Sequence, residues 1–427
     1  NKQNCIITGS DNNNILFNYG QSGGIQQTLN VANITFTNAC NIVSGTVPVS
    51  TSFTNCVFTN TQSDYTSLFK LDLGQEAISP IPTFNLTDST FSGVTSNGSM
   101  MIELVGYQTF IETVSIDGFK GANCFYFNQC SADLFSLTIN NSDTSSAPIG
   151  TFSSNLTITD GNFYNNVGGF AGVLYTSSYN TYMRTVVSLS YFTNNTTPDH
   201  GGAIVLAPNP SGVQATNKIL TSEFISNSVS ASGGRGGAIY VDATNVDITA
   251  STFISNSASN GGQGGAIYIG SGSTVLIANS EMDSNLATLG AAIFTNSSRL
   301  SFSSDTFSNN NASVGGSDVY CSSSSIDFGN SSLKAPNSTA YTCGACNFIN
   351  GPSNFQCGGS SSSNESPKKH NDLDDKDKKI IIAVVCGGVG LIAILIIIII
   401  VYKRHHRRHH HHHHHHHHES SPLVYHH

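Results

Sequence analysis

One apolar side chain, most often phenylalanine, returns along this sequence at a near-constant interval, and that recurrence limits the possible folds more than any other feature. Phe36, Phe58, Phe91, Phe119, Ile139, Phe163, Phe192, Phe224, Phe253, Met282 and Phe307 make a column of eleven, with a mean step of about 27 residues. Five residues before each stands a second column: Val31, Phe53, Leu86, Val114, Leu134, Ile158, Val187, Ile219, Ile248, Ile277 and Phe302. All eleven are apolar in a chain that is 38% hydrophobic, which chance does not produce. Three residues after the later members comes an amide: Asn166, Asn195, Asn227, Asn256, Asn285 and Asn310.

A second motif alternates with F-x-x-N. It is GGAIY at 236–240 and 264–268, with looser copies GGAIV at 201–205, GAAIF at 290–294 and GVLY at 172–175. Within these stretches the apolar period is two. Val246, Ile248 and Ala250 alternate with Asp247, Thr249 and Ser251, the pattern of a strand with one buried face. Glycine pairs and Asn/Ser runs separate the strands. Propeller blades run to roughly 40–50 residues, whereas these shorter units suit one coil of a solenoid. The expectation is an all-β fold, a right-handed parallel β-helix. Phenylalanine stacks on phenylalanine inside it, and the asparagines form a hydrogen-bonded ladder. Eleven to thirteen coils would give a rod on the order of 55–60 Å long.

The paired GGAI and FxxN motifs resemble the repeats of chlamydial polymorphic outer membrane proteins. They are also similar to amoebozoan surface proteins that carry pectin-lyase-like β-helices before a single membrane span. The clear motifs cover about residues 160–320, and the phenylalanine column extends them back to about residue 30. The resemblance implies a surface-displayed β-helix. The membrane β-barrel of the chlamydial proteins has no counterpart here, so their route of export does not carry over.

Residues 380–402 read IIIAVVCGGVGLIAILIIIIIVY, an uncharged run of 23. At about 1.5 Å per residue it spans the hydrocarbon core of a bilayer. Lys403, Arg404, Arg407 and Arg408 follow it, as the positive-inside rule expects. Twelve N-x-S/T sequons precede it and none follows: Asn33, Asn85, Asn97, Asn140, Asn155, Asn194, Asn195, Asn296, Asn311, Asn330, Asn337 and Asn364. Nine of the ten cysteines lie on the same side, which suits an oxidising compartment. The expected protein is a single-pass type I glycoprotein of the plasma membrane, with a leader upstream of Asn1. Its parts are a β-helix over 1–320, a cysteine-containing cap over 321–357, a flexible stalk over 358–379, the span, and a cytoplasmic tail over 403–427. The tail holds ten consecutive histidines from His409, a low-complexity tract or a purification tag, with no role assigned.

Cys321, Cys343, Cys346 and Cys357 are enough for two disulfides in the cap; a zinc site is the competing use of such a cluster. Cys124 and Cys130 are candidates to close a short loop, and Cys40 and Cys56 to join neighbouring coils. Cys5 is left over among the nine, and Cys386 is a small packing residue in the span.

Residues 1–366 carry 8 Lys+Arg against 21 Asp+Glu, an acidic balance that argues against nucleic acid as a partner. Catalysis would need convergent carboxylates or a base with a nucleophile. Outward strand positions are mostly Ser, Thr, Leu and Ala, with Asp247 and Asp305 read as outward on different coils. His200, beside Asp199, is the lone histidine before the stalk and reads as a loop residue. No catalytic residue, cofactor or metal site is expected. The expected function is a membrane-anchored rod for adhesion or recognition, with a structural coat or fibril subunit, or a polysaccharide lyase or hydrolase, as alternatives. Expected partners are the membrane and another surface protein, a carbohydrate or further copies of the chain.

Overall fold

Strands of two to seven residues, separated by turns, cannot pair with their sequence neighbours when every pairing is parallel. Each must pair with its equivalent one coil away. The computed structural model shows this throughout. It describes residues 5–8, 17–19 and 27–351, apart from 47, 65–66, 75–78, 179–182, 208–215 and 330–339. Forty-eight strands form four parallel sheets of 13, 12, 10 and 13 strands, a right-handed-type parallel β-solenoid. Among the described residues there is no helix, and so none long and apolar enough to cross a membrane. The expected stalk, span and tail lie outside the described residues.

One coil visits four faces in order. In the best-formed coil the first face is Asn245–Thr249, the second Thr252–Ile254, the third Ser257–Gln263 and the fourth Ile267–Ile269. With 13 strands at about 4.8 Å, the solenoid is on the order of 60 Å long. Two residues link the first face to the second, and two the second to the third, in each coil from Val49–Thr54 onward. Links into and out of the fourth face vary from two to ten residues.

The fixed two-residue links share one design. The first residue takes the left-handed conformation, as Asn194 (φ 55°) and Ser226 (φ 55°) do, which turns the chain sharply. The second points inward, and at the link between second and third faces it is the asparagine of F-x-x-N. Asn195 Nδ2 donates to Asn227 Oδ1 and to the Phe163 carbonyl, each at 3.0 Å. Its Oδ1 accepts the Asn166 N–H at 3.1 Å and Asn166 Nδ2 at 2.9 Å. The same pattern runs through Asn227, Asn256 and Asn285 to Asn310, whose Nδ2 donates to Asp318 Oδ1 at 3.1 Å. Every polar atom of these buried amides is satisfied, which is what burial requires.

A second ladder, missed in the sequence, lines the link between first and second faces. Ser190, Ser222, Ser251 and Ser280 each donate Oγ–H to the carbonyl two residues back. Each also accepts an N–H from the coil before. Asp305 closes this series, accepting the N–H groups of Ser280 and Ser303. The reading of Asp305 as an outward side chain is therefore corrected: it is 1% exposed, and burial raises its carboxyl pKa to about 6.

Inside, Phe192, Phe224 and Phe253 stack with centroids 4.8 Å apart and rings within 4° of parallel. That distance is the strand spacing itself, so each ring covers the next without bending the backbone. Phe307, at the end of the column, is only partly buried. One coil departs from the expected register. Ile116 pairs with Phe91 and Ile139, and Ile111 with Leu86 and Leu134. Phe119 and Val114 fall three residues later, at the two corners where other coils carry asparagine and serine. Both are buried there, because a corner needs filling more than it needs an amide.

The Gly-Gly turn leads into the fourth face. Gly236 has φ +68°, and a Cβ on Gly237 would come within 2.0 Å of the Gly265 carbonyl oxygen. Successive backbones touch here, which excludes a side chain. Strands Val319–Ser322, Ser325–Asp327, Tyr341–Gly344 and Asn347–Ile349 continue the fourth and first faces through most of the expected cap. Cys321 is disulfide-bonded to Cys346, and Cys343 is also in a disulfide; Cys357 lies outside the described residues. The other cysteine pairings are corrected. Cys40, Cys56, Cys124 and Cys130 are buried thiols. Cys56 and Cys130 point inward at corners, where their sulfurs sit against carbonyls: Cys56 against Thr54 at 3.5 Å, Cys130 against Leu104 at 3.3 Å.

Candidate functional site

Strand alternation sends one residue of each A-I-Y triplet outward, and on the fourth face that residue is aromatic. Tyr240, Tyr268, Phe294 and Tyr320 stack on the outer side of this face with centroids 5.1–5.3 Å apart and rings within 5° of parallel. Tyr240 and Tyr320 are half-buried, and Tyr268 and Phe294 are covered, at 4% and 5% exposure. The column continues toward the N-terminus as Val205, Tyr175, Gly150, Tyr126, Glu103 and Lys70. The outward positions of the other faces are mainly Ser, Thr, Asn and acidic residues. The sequence shows these tyrosines as the last letter of the glycine motif. Their outward direction follows only once Ala238 and Ile239 are seen to be buried.

His200 joins this face. Its ring stacks on Tyr240 at 4.8 Å, and its Nε2 lies 3.6 Å from Asp199 Oδ1. That separation is longer than a working hydrogen bond. The backbone of His200 bridges to Arg235, and Arg235 to Gln263, one coil each. The Arg235 guanidinium lies 5.1 Å over the Tyr268 ring and hydrogen-bonds Tyr240. Burial first, then the charge of Asp242, pushes the Tyr240 phenol up to about 12, with Arg235 opposing. Asp242 is likewise raised by burial, and Arg235 and His200 pull it back. The cluster thus holds two basic side chains against aromatic faces with two carboxylates, Asp199 and Asp242, beside them. This suits binding of a polar group.

Two hollows open on the fourth face nearer the N-terminus. One, of about 470 Å³, is lined by Asp72, Glu103, Tyr126 and Asn128 among others. Lys70 pairs with Glu103 at 3.1 Å beside it. The other, of about 200 Å³, lies over Gly150. Asp247, read as outward, is half-buried on the first face; burial raises its carboxyl and Lys218 opposes that. Among the described residues no group of His, Cys, Asp and Glu is placed to hold a metal ion.

The sequons divide by position. Asn97, Asn155, Asn194 and Asn311 are exposed, and Asn33, Asn85 and Asn296 half-buried. Asn330, Asn337 and Asn364 lie outside the described residues. Asn195 is corrected as a glycan acceptor: it is 0% exposed and its amide is committed to the ladder. Asn140 is also buried, with Nδ2 donating to Asp117 Oδ1 at 2.8 Å.

No family model matches the chain, and no curated protein matches it. Among solved structures, the crystal structure of bacteriophage CBA120 tailspike protein 3 is similar at 11% identity over 82% of this chain, with a TM-score of 0.22. The chain spans 60% of the length of that protein. So slight a likeness carries no argument, and the fold rests on the parallel register itself.

Proposed function

We propose that the chain is a membrane-anchored cell-surface glycoprotein whose β-solenoid presents its fourth face to a partner in adhesion or recognition. One observation carries the reading: the aromatic file of that face, continuous over four coils with Tyr240 and Tyr320 half-buried at its surface, whereas the exposed aromatic side chains of other faces, Phe110, Tyr164 and Tyr191, stand singly. Aromatic side chains with few rotatable bonds give contact area at low entropic cost, so they dominate recognition surfaces. The apolar run 380–402, the basic residues after it and the exposed sequons before it support anchoring with the solenoid outside.

The test places the full chain on cells that lack it. Protease on intact cells should remove the solenoid and leave a small membrane stub, and glycosidase should shrink only the released part. Cells displaying the chain should then adhere to a partner surface, and Tyr175→Ser with Tyr320→Ser should reduce adhesion at least fivefold. A protected N-terminal part would refute the topology, and undiminished adhesion would refute the fourth face as the contact.

A further inference from the structure

The outward column of the fourth face loses its side chain at one place where its neighbours are aromatic. Gly150 lies between Tyr126 on one coil and Tyr175 on the next. The missing side chain leaves the hollow of about 200 Å³, with Gly150 as its floor. Tyr126 and Tyr175 stand at either end along the solenoid axis, Phe152 and Ser177 at one side, and Ser146 and Phe170 at the other. Phe170 is 52% exposed, a large apolar ring held in solvent on a link between the third and fourth faces. Beside Gly150 the Asn123 amide is buried and donates to the Ala147 carbonyl. A Cβ on Gly150 would meet Asn123 Nδ2 at 2.8 Å and the Tyr126 ring at 3.2 Å. A side chain here would collide with both.

We infer that this hollow is a binding site for a single uncharged sugar ring. No charged side chain lines it, so an anionic ligand would be desolvated without a partner. Four aromatic side chains demand a ligand with apolar faces, and the Ser146, Ser177, Tyr126 and Tyr175 hydroxyls offer hydrogen bonds at its edge. A neutral pyranose supplies both, since its C–H groups make the faces and its hydroxyls the rim. A phenyl ring supplies only the faces. The volume takes one ring rather than a chain. The inference rests on the fourth face being a recognition surface and gives that face a ligand class.

The experiment uses the full chain in detergent and reads intrinsic tyrosine emission, which is unobscured because the sequence has no tryptophan. The probes are methyl glycosides of glucose, galactose, mannose and N-acetylglucosamine, with glucuronate and N-acetylphenylalaninamide for comparison. At least one neutral glycoside should bind saturably, and more tightly than either comparison ligand. Phe170→Ala should weaken it at least tenfold and Gly150→Val abolish it. Gly150→Val can disturb Asn123, so its unfolding midpoint is measured too; Phe170→Ala, at an exposed rim, should leave the midpoint unchanged. Absence of binding by all four glycosides, binding that survives Phe170→Ala, or preference for the phenylalanine amide would each overturn the site. Were adhesion to persist in a Phe170→Ala cell while the double tyrosine variant abolishes it, the hollow would be refuted and the fourth-face reading would stand.

Discussion

The coils before about residue 152 and those after it close the same four-faced turn with different chemistry. In the N-terminal coils the inward corner residues are largely apolar or thiol: Cys56, Val94, Val114, Phe119 and Leu137. Their core mixes a short parallel stack, Phe36 on Phe58 on Phe91, with tilted rings packed against it, Phe69 lying edge-on to both Phe53 and Phe58. In the C-terminal coils the corners are serine and asparagine ladders, and the core is a file of like residues in register. Apolar filling tolerates any shapes that sum to the right volume. A hydrogen-bonded ladder demands the same group at every step. Sequence regularity in this molecule is therefore a by-product of polar corners, and coils without them are free to drift.

The widest test of that contrast is to remove one ring from each half. Phe253→Ala should cost about 3–5 kcal/mol, since the flanking rings of a parallel stack cannot close the gap. Phe91→Ala should cost less, because the tilted Phe69 can lean into the space. Native-state hydrogen exchange on the full chain would read both; equal costs would mean the two cores do not differ in adaptability.

Exchanging corner chemistry comes next. Asn227→Val should destabilise by about 2–4 kcal/mol, because it strands the donors and acceptors of Asn195 and Asn256. The reverse change, Val94→Asn, buries an amide where no ladder can satisfy it and should cost at least as much by denaturant unfolding.

A smaller effect sits at the foot of the serine ladder. The folded Asp305 pKa of about 6 lies above the ordinary 3.8, so the folded chain binds more protons than the unfolded one between those values. Stability should be greatest below the lower value and fall as pH rises through the upper one, by on the order of 2 kcal/mol. Asp305→Ser, which copies Ser280, should flatten this slope and stabilise the chain at pH 7. A slope that persists in the variant would assign it to another group.

The least perturbing measurement is site-resolved glycan mapping at the adjacent sequons. Asn194 should carry sugar and Asn195 none, and glycan on Asn195 would contradict the closed ladder.

The sequence made the phenylalanine column and the asparagine ladder legible for one reason: both repeat a residue type at a constant offset. The serine ladder was equally visible two residues before Phe192, Phe224 and Phe253, but serine is common enough here to pass unnoticed. The coil of Ile111 and Ile116 was misregistered because Phe119 carries the expected letter three residues too late. Cysteine pairing was not legible. Direction at a corner, inward for Cys56 and Cys130, depends on backbone turns that cysteine spacing does not encode. The Gly150 hollow is defined by a missing side chain, which only the register between coils reveals.

The two constant links, each two residues long, carry the ladders, and the two links of variable length border the fourth face. An added residue at a ladder corner would break a continuous chain of hydrogen bonds. At the other corners it costs little more than loop-closure entropy, about 0.6 kcal/mol for each doubling of length. The solenoid therefore separates a part that must stay constant from a part that can be lengthened, and sets the second around the aromatic column. Insertions confined to those corners could reshape what this face meets while every internal ladder stays intact, the arrangement expected of a scaffold built to be re-specified at its rim.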